Sequence, residues 1–235
     1  MWTRKELKDR AKNVLRKIYW KAFLVSLVIA FAGGNGGGGG GGGRSNRLSN
    51  GNVSPDGILS NLAIIISVVS VFILVAIALR IFLGYPLEVG GRKYFIQSAR
   101  HEDNKRCFRF AFNGENYMGI VLAMLLKGVQ NFLWYLLLII PGIVKSYAYS
   151  MVPYILAENP NIGSREAIKE SIEMTDGHKF DMFVLDLSFL GWFLLGALFF
   201  GVGVFFVLPY VDATKAELYL VLRNNRVDSS MLIEE

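Results

Sequence analysis

A single cysteine, Cys107, and two histidines, His101 and His178, leave this 235-residue chain almost without soft metal ligands. One thiol cannot build an internal disulfide framework, and no cysteine pair or His-Glu-x-x-His run offers zinc spacing. No Gly-x-Ser-x-Gly nucleophile elbow occurs, so neither metal-assisted hydrolysis nor serine-type acyl transfer has a signature here. Charged residues are also scarce, 19% against 53% hydrophobic, which is too apolar for an ordinary soluble domain. The net charge of +6 does not point to nucleic acid. Residues 1–21 hold eight Lys and Arg against Glu6 and Asp9, so the excess is a local feature beside a membrane. Cys107 reads as a reduced thiol facing the cytoplasm, and no cofactor, metal or catalytic residue is assigned.

What the chain has is apolar length. From Ile58 to Leu79 run 22 residues without a charge, ended by Arg80. At 1.5 Å per residue that is roughly 33 Å, about the thickness of a bilayer's hydrocarbon core. A helix apolar on every face over that distance spans a membrane rather than filling a soluble core. The expectation is an all-α, polytopic integral membrane protein forming a single domain over residues 1–235, with amphipathic surface helices in addition to its spans.

Residues 2–17 are written as one such amphipathic helix. Thr3 and Glu6 have capping-box spacing, Trp2 and Leu7 stand at staple positions, and Leu7, Ala11, Val14, Leu15 and Ile18 recur at helical intervals. The other face carries Arg4, Lys5, Lys8, Arg10, Lys12, Arg16 and Lys17, which suits anionic lipid headgroups; packing against protein is the alternative. The apolar run Ala22–Ala32, with Ala30-Phe31-Ala32 before Gly33, imitates a cleavable signal. The long, capped, acid-containing front favours instead an uncleaved first span over Ile18–Gly34. Gly33–Gly43 holds ten glycines interrupted only by Asn35, so its dinucleotide and phosphate-loop matches are compositional. Residues 35–57 read as a flexible extracytoplasmic loop. Residues 84–116 read as a basic cytoplasmic loop, with Arg92, Lys93, Arg100, Lys105, Arg106 and Arg109 against four acids.

Tyr117–Ile140, a break at Pro141-Gly142 and a return over Ile143–Leu156 suggest a hairpin. Met182–Leu198 and Val204–Leu222, flanking Gly196, Gly201 and Gly203, suggest a second. With Ile18–Gly34 and Ile58–Leu83 this makes six transmembrane helices with the N-terminus and C-terminus cytoplasmic. Four spans are the alternative, one bracketed by Lys127 and Lys145 and another over Leu187–Val211. Between the hairpins, residues 158–181 form an amphipathic polar segment. Ser164 can cap a helix, Ala167, Ile168, Ser171, Ile172 and Thr175 make a narrow stripe, Gly177 can end it, and Glu166, Glu170 and Glu173 read as a solvated face.

The run Leu133-Trp134-Tyr135 through Ile140-Pro141-Gly142-Ile143, the run Tyr149-Ser150-Met151-Val152-Pro153-Tyr154, Glu166-Ala167-Ile168, Gly177-His178-Lys179, and Leu187-Ser188-Phe189-Leu190-Gly191-Trp192 resemble a bacterial membrane-protein family known as domain of unknown function 975. Arg4-Lys5-Glu6-Leu7-Lys8, Tyr19-Trp20-Lys21-Ala22 and Pro209-Tyr210 are similar too, so the likeness runs over nearly the whole chain, with the glycine loop a variable insert. The resemblance implies a multi-pass protein of the bacterial plasma membrane. It brings no established activity and carries over no catalytic residue.

Candidate chemistry is confined to the bilayer interior. Lys127 lies well inside its apolar segment, where an ion needs a partner or a water-filled path, and Asp186 is the obvious partner. Lys127 and Asp186 therefore form a candidate intramembrane charge pair; snorkelling of Lys127 and an edge position for Asp186 are the simpler alternative. Trp20, Trp134 and Trp192 read as interfacial anchors. The expected partners are the bilayer itself, anionic lipids at the cytoplasmic face and other membrane proteins. The leading function is a non-enzymatic component that organises lipids or holds partners. A small-molecule or lipid transporter comes second, on the broken helices and Lys127. A lipid-active enzyme comes third, on analogy with multi-span domains attached to glycerophosphodiester phosphodiesterases.

Overall fold

A computed structural model describes residues 3–31, 55–103, 106–198 and 202–231; Trp2 and the glycine loop, including the expected extracytoplasmic residues 35–54, lie outside them. The described residues are helical almost throughout and contain no strand, in agreement with the all-α expectation.

Helix α1, Arg4–Phe31, joins the two expected N-terminal pieces and kinks at Ile18 (φ −129°, ψ 15°), where the surface helix was to turn into a span. The Glu6 N–H donates to Thr3 Oγ1 at 3.3 Å, while the Glu6 carboxylate accepts from Arg10 instead of completing the capping box. Leu7, Ala11 and Leu15 are buried in the core, and α1 packs along the last helix, α10, Val202–Met231. Protein, not lipid, thus covers the apolar face made by Leu7, Ala11, Val14 and Leu15. Lys8 donates to Ser188, in the preceding helix Lys179–Leu198, at 2.7 Å, whereas Arg4, Lys5 and Arg16 stay exposed.

Helix α2, Pro55–Leu79, runs through a π-helical turn, Arg80–Gly84, into α3, Tyr85–Ala99. Every residue from Ile65 to Leu79 is exposed, as a lipid-facing helix requires. The expected loop over 84–116 is corrected by α3 and by the short α4, Cys107–Ala111. Glu88, Val89, Arg92 and Phe95 of α3 are buried. A helix that turns its polar residues inward looks like a loop to composition, and Arg92 and Lys93 drop out of the loop's charge count.

Helix α5, Gly114–Leu137, ends at Leu138, whose extended backbone (φ −159°, ψ 142°) reverses the chain into α6, Ile139–Ala148. The break thus precedes Pro141-Gly142. Pro141 is tolerated in the first turn of α6 because its missing N–H would be unpaired there anyway. A Cβ on Gly142 would stand 2.6 Å from the Tyr135 ring, so glycine permits the close return. The return itself is divided: α6 stops before Tyr149 and α7, Val152–Glu158, resumes after the turn. Helix α8, Ser164–Met174, is preceded by Gly163 and has no side-chain cap from Ser164. It buries Ala167, Ile168, Ser171 and Met174, and the chain turns at Gly177 with φ 74°. Glu170 and Glu173 are not merely solvated, because Arg226 of α10 pairs with both.

Helix α9, Lys179–Leu198, and α10 run antiparallel, with Asp186 beside Lys215, Phe189 beside Tyr210 and Gly196 against Gly203. Among the described residues three helices are long and apolar enough to cross a membrane, Ile65–Ala99, Gly114–Leu137 and Lys179–Leu198, with a shorter apolar helix over Ile18–Ile29. Six such helices do not emerge. Ile143–Leu156 is broken, and Val204–Leu222 lies in α10 with Asp212, Lys215 and Glu217 on it. Because α1, α3 and α9 cover α10, it needs little apolar surface of its own. Residues 127–145 and 187–211, continuous spans in the four-span alternative, each fold back as hairpins.

The glycine contact gives a direct test. A Cβ on Gly196 would lie 2.7 Å from the Val204 backbone nitrogen, whereas one on Gly191 of the same helix meets nothing within 4 Å. Gly191→Ala should gain up to about 1 kcal/mol from helix propensity. Gly196→Ala should lose about 1–3 kcal/mol as the two backbones are forced apart. Thermal unfolding in detergent checks the order, with Gly191→Ala melting highest and Gly196→Ala lowest.

Candidate functional site: a charged cavity among the helices

The helices enclose a cavity of about 620 Å³ whose wall is rich in charge. Glu88 and Arg92 sit four residues apart on α3 and so share one face. The π-helical turn before α3 re-registers the preceding helix, and Arg80 at its start reaches Glu88 at 3.3 Å. Arg92 pairs with Asp212 of α10 at 2.6 Å, and the other Asp212 oxygen accepts from Ser26 of α1 at 2.7 Å. All three residues are buried. On the opposite wall Asp186 pairs with Lys215 at 3.1 Å and accepts from the Tyr147 hydroxyl at 3.2 Å.

Both residues singled out from the sequence line this cavity. They are not joined as expected. Asp186 is engaged by Lys215, which the antiparallel register of α9 and α10 places directly beside it, and Lys127 makes no ion pair or hydrogen bond among the described residues. Arg80, Glu88, Arg92, Asp212 and Lys215 escaped the sequence reading. Arg80 was visible only as the end of an apolar run, and Glu88 and Arg92 were assigned to a loop. Two polar atoms of the wall also lack a partner: the Tyr154 hydroxyl, on a residue only 2% exposed, and the Asn131 side-chain oxygen.

Among the described residues no group of three or more His, Cys, Asp or Glu is placed to hold a metal. Cys107 is not among the residues lining the cavity and donates to Gln97 at 2.7 Å. Burial pushes its thiol up to about 11, so it stays protonated at neutral pH and is a poor nucleophile.

Residues 136–226 match the family described as protein of unknown function (DUF975). The resemblance drawn from the Pro141-Gly142 and Glu166-Ala167-Ile168 regions holds over that segment, while the N-terminal motifs lie outside it. The matched segment supplies Tyr147, Tyr154, Asp186 and Lys215 to the cavity; Arg80, Glu88, Arg92 and Lys127 come from before it. No curated protein and no solved structure matches the chain.

Double-mutant cycles separate the observed pairing from the expected one. Asp186→Asn and Lys215→Met should couple by about 0.5–3 kcal/mol, while Asp186→Asn and Lys127→Met should add to within about 0.5 kcal/mol. Thermal stabilities of the single and double variants in detergent give both numbers.

Proposed function

We propose that the protein is a non-enzymatic membrane component that binds a lipid in its intramembrane cavity and thereby organises lipid or holds a membrane partner. One observation carries this reading: a charged, hydroxyl-bearing cavity lies among helices whose outer faces are apolar and exposed. A ligand reaching it from the bilayer needs an apolar body and a polar head, which is the build of a lipid. Both carboxylates of the lining, Glu88 and Asp186, are engaged by cations, which supports binding over acid–base chemistry. A transporter is the second reading, favoured by Ser150 and Met151, which line the cavity at the break between α6 and α7. Discontinuous helices of this sort form substrate sites in transporters.

The setting we propose is the bacterial plasma membrane, with both termini cytoplasmic and six passes, the last of which, α10, is sheltered by α1, α3 and α9. Arg4, Lys5 and Arg16 would then face anionic headgroups on the inner leaflet. No nucleic-acid partner is proposed.

Full-length protein extracted in mild detergent should retain bound lipid in native mass spectrometry. Intact, folded protein that emerges free of lipid, or vesicles that accumulate solute through it, would move the assignment away from lipid binding. Orientation is checked in a Cys107→Ser background. Asp176→Cys, whose side chain is 78% exposed, should resist an impermeant thiol reagent in intact cells, and Gly39→Cys should react. Labelling of Asp176→Cys from outside would put residues 158–181 on the outer side.

A further inference from the structure

Three of the four cations at the cavity have a carboxylate partner in hand. Arg80 is met by Glu88, Arg92 by Asp212 and Lys215 by Asp186, so the wall and its immediate support hold four cations against three carboxylates. Lys127 is the remaining cation. Glu88 shares its wall but is already engaged by Arg80. A lysine in such surroundings is costly without a counter-charge, and one that faces a cavity can take that counter-charge from a ligand. The Tyr154 hydroxyl is a buried donor with no acceptor, and the Asn131 oxygen a buried acceptor with no donor. A ligand that answered all three would bring one negative charge, an acceptor for a hydroxyl, and a donor of its own.

We propose that Lys127, Tyr154 and Asn131 form a receptor for a monoanionic phosphodiester that carries a hydroxyl, the chemistry of a glycerol phosphodiester headgroup. The assignment rests on the lipid-binding reading above and adds the class of headgroup. A phosphodiester has one negative charge, equal to the uncompensated charge of the site. Its non-bridging oxygens can accept from both the Lys127 ammonium and the Tyr154 hydroxyl, since lysine holds phosphate as a point charge and needs no fixed fork. The glycerol hydroxyl supplies the donor that Asn131 lacks. The apolar rims around the cavity accommodate acyl chains if the headgroup arrives on a lipid.

The test uses delipidated full-length protein in neutral detergent, titrated separately with phosphatidylglycerol, diacylglycerol, soluble glycerophosphoglycerol and inorganic phosphate, with melting temperature and binding as readouts. Phosphatidylglycerol should raise the melting temperature and bind at least about tenfold more tightly than diacylglycerol, as a charge-assisted contact requires. Lys127→Met should erase that preference without lowering the ligand-free melting temperature, because it removes a cation that has no ion-pair partner among the described residues; Lys127→Arg should keep the preference. If Lys127→Met does not fold, Tyr154→Phe, which deletes only the hydroxyl, should weaken phosphatidylglycerol several-fold. Protection by glycerophosphoglycerol equal to that by phosphatidylglycerol would identify the free diester as the source, and protection by inorganic phosphate alone would overturn the diester assignment. Equal binding of phosphatidylglycerol and diacylglycerol, in the native chain and in Lys127→Met alike, would overturn the receptor while leaving lipid binding in place. Absence of binding by every lipid would overturn both.

Discussion

Arg92 has to be answered from within the protein, and the arrangement of the helices follows from that requirement. Its guanidinium is buried at the cavity wall, where an ion without a counter-charge is costly. Asp212 answers it from α10, and Ser26 of α1 donates to the second Asp212 oxygen. Three helices distant in sequence are thus tied at one point. The pair need not stabilise the fold relative to an apolar core, since a buried ion pair and a well-packed apolar substitute are often equivalent. Removing one partner is another matter, and costs about 3–5 kcal/mol by leaving a lone buried charge. The network therefore acts on which helices meet more than on how tightly they hold.

Once α10 is fixed against α1 and α3, the cavity is a geometric consequence. The same helix turns Lys215 toward Asp186 of α9, and α3 turns Glu88 toward Arg80 at the π-helical turn. Each polar side chain directed inward would be expensive facing lipid, so the bundle collects them on common walls. The outer surface is left to Ile65–Leu79 and the lipid-facing sides of α5 and α9, which are apolar and exposed. Charged inside and apolar outside reverses the soluble pattern, and both halves follow from the solvent around the chain.

Features written in local periodicity were legible in the sequence. The Thr3 cap, the bend at Ile18, the apolar run into Arg80, both hairpins and the buried stripe of Ala167, Ile168 and Ser171 all appear close to where the residues place them. The misreadings share one cause. In α3 and α10 polar residues face other helices, and hydropathy registers polarity without direction, so Arg92 was assigned to a loop and Val204–Leu222 to an apolar span. The register between helices was hidden for a related reason. Sequence shows that Asp186 needs a cation, but only the antiparallel alignment of α9 with α10 decides that Lys215, not Lys127, supplies it.

The hairpin of α5 and α6 shows why counting apolar segments is a poor measure of crossings in this chain. Its tip is the most apolar part of the turn region, with Leu136 at 74% and Ile140 at 77% exposure. A reversal inside hydrocarbon is admissible only if its backbone groups are satisfied. Two backbone bonds cross the turn here: the Leu138 N–H donates to the Trp134 carbonyl and the Gly142 N–H to the Leu138 carbonyl, both at 3.1 Å. Pro141 contributes no N–H that would need a partner. The return over α6, ten residues or roughly 15 Å, needs to travel only as far as the polar cavity before the turn at Tyr149.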